Sequence, residues 1–128
     1  MTVPFQCLAV VSLLPYVCSW TSGYFRYRQF GRIDNKNPRR QQAALEGIGA
    51  RAQAAQANAW EALPLFTAAV VVAHLSGADP QRASLLSVGF VATRLLHPVL
   101  YLADLDLLRS LVFVAGLACV VGLFVISA

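Results

Sequence analysis

Eight polar side chains stand where an apolar chain should have none. The stretch "ARAQAAQANAWEALPLF", residues 50–66, brings Arg51, Gln56, Asn58 and Glu61 to the start of an apolar run that continues to Leu75. A second stretch, "TRLLHPVLYL", adds Arg94, His97 and Tyr101, and Arg109 stands near the start of the last apolar run. Three guanidiniums face one carboxylate, with amide and phenol groups as neutral hydrogen-bonders. Arginine forks match carboxylates in a bidentate way, and a single glutamate can receive an ammonium. The inventory therefore fits a zwitterion that carries surplus negative charge.

The elements that carry these groups follow from composition. The chain has 128 residues, 58% hydrophobic and 12% charged, with a mean hydropathy of +0.61. A soluble domain would carry about twice that charged fraction. The apolar residues gather in four stretches, roughly 3–25, 57–75, 83–103 and 107–128, each close to the ~20 residues that cross a bilayer. The expected fold is all-α, a single domain of four transmembrane helices. The first stretch is too long for the core of a cleaved leader, and no Lys or Arg precedes it. Pro15 lies inside it, which a membrane helix tolerates.

Charge sets the expected orientation. Six of the ten Lys and Arg residues, Arg26, Arg28, Arg32, Lys36, Arg39 and Arg40, fall between the first two spans. So basic a short loop belongs in the cytoplasm. The third loop then shares that side, and both termini face away. This explains the net charge of +4 without nucleic acid as a partner. Cys7, Cys18 and Cys119 are odd in number, lie in spans and form no CxxC, so small apolar packing is expected rather than a disulfide or a metal. His74 and His97 lack metal-type spacing. Between Pro38 and Pro64 no proline interrupts the chain. A helix from Arg40 to Leu75 would measure about 54 Å against a hydrocarbon core of about 30 Å. It must project into the cytoplasm from about residue 40, or bend at its start, where Gly47 and Gly49 weaken it.

Helical periodicity puts Arg51, Asn58 and Glu61 on one face, seven and three residues apart, and Arg94, His97 and Tyr101 on another. Gln56 lies off the first line, toward another helix or another subunit. Because the second span leaves the cytoplasm and the third returns to it, Glu61 and Arg94 share a depth. His97, Tyr101 and Arg109 fall nearer the cytoplasmic mouth. Taken singly, each group has a structural role open to it. Glu61 and Arg94 can form a buried ion pair that fixes register, His97 and Tyr101 can be packing or interface residues, and Arg51 can snorkel. Taken together, two polar faces converging on one side of the membrane describe a ligand pocket open to the cytoplasm. A small peptide such as glutathione is one ligand of the required charge.

"RAQAAQANAWEALPLF" followed by "RLLHPVLYLADLDLLRSLVFVAG" resembles the MAPEG family, the membrane-associated proteins in eicosanoid and glutathione metabolism. The resemblance covers most of the chain, and the RxxHxxxY form is closest to microsomal glutathione transferases and their bacterial relatives. It implies a homotrimer of four-helix subunits, set in a bacterial inner membrane, with glutathione as co-substrate between adjacent subunits. Carried over, Arg51, Asn58 and Glu61 hold the peptide, Glu61 through its amino group, and Gln56 reaches in from a neighbour. Arg94, His97 and Tyr101 line the pocket, and Arg109 is the catalytic residue that stabilises the thiolate. A lipophilic small-molecule electrophile enters from the lipid side, to be conjugated or reduced.

The chain also departs from the family pattern. The family's Glu–Arg–x–x–Arg before the asparagine reads Ala50, Arg51 and Ala54 here, and Ala62 follows the glutamate where tyrosine is common. Each charged hydrogen bond lost costs about 1.5–3 kcal/mol, roughly ten- to a hundredfold in affinity. Arg26 or Arg28 could compensate from the first loop. Two other functions stay open: a trimer of this kind that has lost catalysis and binds another lipid or anionic metabolite, and a small proton-coupled exporter with Glu61 as carrier. Three nearby arginines argue against a carrier that must shed its charge.

Overall fold

The computed structural model describes residues 1–128, and helices are its only regular elements. In chain order they are α1 (Val3–Phe30), α2 (Pro38–Ala43), α3 (Gly47–Leu75), α4 (Pro80–Leu102) and α5 (Asp106–Val125). All but α2 are long and apolar enough to cross a membrane. Local chemistry sets their ends. Proline opens α1 in its first turn, where a missing N–H costs nothing. Gly31 closes it with φ +69 and returns its N–H to the Tyr27 carbonyl. The Asp79 carboxylate caps α4 by accepting the Arg82 N–H at 2.8 Å. α1, α3 and α4 run on through Pro15, Pro64 and Pro98.

A continuous helix from Arg40 does not form. The chain bends instead at its start, between Ala44 and Glu46. Gly47 takes φ +53, a conformation that glycine reaches without steric cost, and Leu45 turns inward to be buried. Helix propensity favoured continuation, but tertiary burial of Leu45 and the freedom of Gly47 prevail.

Two glutamines satisfy backbone groups around this bend. Gln29 Nε2–H donates to the Ala44 carbonyl at 3.0 Å, and its Oε1 accepts the Glu46 N–H at 3.0 Å. Gln41 does the same for the preceding loop, donating to the Arg32 carbonyl at 2.8 Å and accepting the Asp34 N–H at 3.0 Å. Asp34 Oδ1 accepts the Lys36 and Asn37 N–H groups, each at 3.0 Å. The Asn37 N–H first, then the Lys36 N–H and the Arg32 charge, hold the Asp34 carboxyl below its usual range. The stability it contributes is present at neutral pH and is lost as pH falls through that lowered value.

α3 and α4 touch each other and both outer helices, whereas α1 and α5 never meet. α3 turns Ala52, Ala55, Ala59, Ala69 and Ala73 inward, small side chains that let neighbouring helices approach. At mid-depth Phe66 of α3 stacks on Phe90 of α4 with ring centroids 4.2 Å apart. Val70, Val120 and Leu123 close around them. Large apolar side chains such as Leu13, Trp20, Leu85 and Val114 face outward, the arrangement expected of a chain surrounded by lipid. Replacing Phe66 should leave a void that the rigid helices cannot close. Phe66→Ala is expected to lose about 3 kcal/mol, read as a lower Tm in detergent, with Phe66→Leu losing clearly less.

Candidate functional site

A cavity of about 150 Å³ opens between α3, α4 and α5. Asn58 and Glu61, one helical turn apart on α3, line it together with Arg94 of α4. Phe90, Phe113, Leu65, Leu117 and Val120 form its apolar walls. Arg94 is 3% exposed. Its Nη1–H donates to Asn58 Oδ1 at 3.0 Å, while its Nε has no partner. The guanidinium lies near two rings, with Cζ 5.5 Å from the Phe90 centroid and 5.8 Å from that of Phe113. Gly116 of α5 makes room for it. A Cβ at that position would stand 3.2 Å from Arg94 Nη2 and 2.7 Å from Thr93 Oγ1.

Glu61 and Arg94 line one cavity but form no ion pair, since the only salt bridge in the chain lies elsewhere. A neutral amide receives the buried charge instead. A guanidinium carries five N–H donors, so Arg94 retains capacity to bind an anion. Glu61 is exposed at the surface of the single chain. The cavity thus places a cation and a carboxylate side by side, the complement of a zwitterion.

A second group forms at the end of the bundle where α4 turns into α5. His97 is 4% exposed and packs edge-on to Tyr101 at 5.6 Å. Arg109, in the first turn of α5, lays its Cζ 4.2 Å above the Tyr101 ring. Such a stack holds a guanidinium in place while leaving its N–H edge free. Arg51 stands apart from both groups. Its Nη1 lies 3.6 Å from the carboxylate of Asp104, whose side chain is 70% exposed. Asp104 itself takes φ +60 in the α4–α5 turn, unusual for a residue with a Cβ. Gln56 is 7% exposed within its own chain, is not part of the cavity beside Arg94 and leaves Oε1 unpaired.

Periodicity therefore brought Asn58, Glu61 and Arg94 together, and separately His97 and Tyr101 with Arg109. Arg51, which periodicity put on the face of Asn58 and Glu61, lies instead against Asp104, and Gln56 is not part of the cavity wall. The aromatic walls were missed although a signal existed: Phe90 lies four residues before Arg94 on the same helical face. Gly116 and Asp104 offered none. Arg26 keeps Nε and Nη1 buried without partners, whereas Arg28 donates to the Tyr24 hydroxyl at 3.0 Å. No group of three or more His, Cys, Asp or Glu side chains could hold a metal.

Residues 3–128 match the model of the MAPEG family. No curated protein and no solved structure matches the chain.

The Arg94–Asn58 bond makes an asymmetric prediction. Asn58→Leu should cost about 3 kcal/mol, because it leaves a buried charge without an acceptor. The double variant Asn58→Leu/Arg94→Met should recover much of that loss, as both ends of the bond become apolar. Thermal or denaturant unfolding in detergent reads both.

Proposed function

The chain belongs to the MAPEG family, and on that premise we propose that it binds glutathione and activates its thiol for transfer to, or reduction of, lipophilic electrophiles. The observation that carries this reading is the cavity in which the buried Arg94 guanidinium, donors to spare, stands beside Glu61. Glu61 receives the peptide's amino group, Arg94 and Asn58 a carboxylate or backbone carbonyl, and Arg26 supplies a second cation from α1. Arg109 faces the sulfur. A free thiol has a pKa of about 8.5, and an adjacent guanidinium lowers it into the neutral range. The thiolate then attacks the electrophilic carbon, forms the C–S bond and expels the leaving group.

The site is shared between subunits of a homotrimer. A volume of about 150 Å³ falls short of the roughly 300–1,000 Å³ of small-molecule sites, so one chain supplies only part of the wall. An exposed Glu61 inside the span is costly against lipid, and a neighbouring copy relieves that cost. Orientation follows the basic loop: the α1–α3 connection and the α4–α5 turn face the cytoplasm, the side from which glutathione arrives. The electrophile reaches the site from the bilayer.

Alanines at 54 and 62 favour a second reading, a trimer that retains the pocket for another anionic metabolite or lipid without turnover. Ala62 lines the cavity itself and offers no donor.

Titration of the detergent-solubilised protein separates the two. Glutathione at tenfold its Kd should stabilise the protein by about 1.4 kcal/mol, and a thiolate absorbance band should accompany binding. Arg109→Ala should keep most of the stabilisation and lose the band. Absence of any thermal shift at millimolar glutathione, with a different small molecule retained in native mass spectrometry, would establish the second reading.

A further inference from the structure

We propose that the basic end of the bundle carries a built site for the phosphodiester headgroup of an anionic glycerophospholipid. The site is a cleft of about 330 Å³ between the end of α1 and α2, lined by Phe30, Arg32, Asp34, Arg40, Gln41 and Ala44. It is separate from the cavity beside Arg94 and independent of the function proposed for that cavity.

Three observations carry it. The first is charge left unspent. Residues 26–40 hold six cations and one acid, Asp34, and no carboxylate of the chain pairs with any of them. Asp34 turns one oxygen inward to accept two backbone N–H groups. An orientation signal needs only a count of positive residues. The fold does more, bringing Arg32 and Arg40, eight residues apart, to the rim of a single cleft. Both are exposed, and neither guanidinium makes a hydrogen bond within the chain, whereas Arg28 and Arg39 do.

The second is depth. α1 has 28 residues, about 42 Å at 1.5 Å per residue, against a hydrocarbon core of about 30 Å. The surplus must emerge at the end that carries Arg26 and Arg28, because those charges cannot rest in hydrocarbon. The cleft begins at Phe30 and therefore lies in the headgroup layer.

The third is stoichiometry of charge. Two guanidiniums against the Asp34 carboxylate leave one positive charge in the cleft. A phosphodiester carries one negative charge and neutralises it. Inorganic phosphate, a mixture of monoanion and dianion at neutral pH, matches that charge only in part. Phe30 and Ala44 give the cleft an apolar side, suited to the glyceryl and first acyl carbons of a lipid and of no use to a free ion.

The test is native mass spectrometry of the full-length protein in detergent with dioleoyl phosphatidylglycerol or dioleoyl phosphatidylcholine added at equal concentration. Wild type should retain phosphatidylglycerol at about one per subunit, roughly tenfold in preference to phosphatidylcholine. Arg32→Gln/Arg40→Gln should lose that preference. Lys36→Gln/Arg39→Gln, which removes the same charge outside the cleft, should keep it. All four positions are exposed, and unchanged Tm values verify that the variants fold. Equal loss in both double variants would overturn the proposal in favour of diffuse attraction. Equal retention of the two lipids by wild type, or displacement of phosphatidylglycerol by millimolar inorganic phosphate, would overturn it as well.

Discussion

A guanidinium buried between helices, received by one amide oxygen, constrains everything around it. Arg94 cannot leave the bundle without dragging charge through lipid, and it cannot stay without Asn58. That bond fixes how α3 and α4 lie against each other lengthwise. It also explains why α5 presents Gly116 at the contact, since any larger residue would crowd Thr93 and the guanidinium. Phe90 and Phe113 complete the enclosure with ring faces that attract a cation and ask for no hydrogen bond. Stability alone would have chosen leucine at 94. The guanidinium keeps its place at that cost, and its Nε is left without a partner in the chain.

The two polar groups differ in how they are held. Arg94 is immobilised from all sides, while Arg109 rests on Tyr101 by one face only. The arrangement suits an anchor deep in the bundle and, at its end, a charge whose N–H edge stays open. The function proposed above gives this difference a chemical direction, because glutathione needs both a grip on its charged ends and a cation for its sulfur.

Much of this was legible in the sequence because membrane helices are periodic. Spacings of three, four and seven place Asn58 with Glu61, and His97 with Arg94 and Tyr101, whatever the details of packing. Four apolar runs predict four crossing helices because lipid leaves the backbone no other choice. What periodicity does not carry lies in turns and in volume. Asp104 draws Arg51 to itself through a left-handed backbone that no helical rule anticipates. Gln56 is buried in its own chain, among the alanines at 52, 55 and 59 that are buried with it on α3. The bend before α3 depends on where Leu45 finds cover, a tertiary fact. Glu61 and Arg94 matched in depth and sign, yet a neutral amide stood nearer to the arginine.

The glutamine clasps at residues 29 and 41 divide labour in the first loop. Each amide acts as a piece of borrowed backbone, donating at one atom and accepting at the other. Neither titrates, and neither is weakened by dissolved ions as a salt bridge would be. The loop's shape is thus owned by these two glutamines together with Asp34, and its cations are tenants. Lineages could exchange those cations, retuning which surfaces the protein prefers, while the scaffold beneath kept its form.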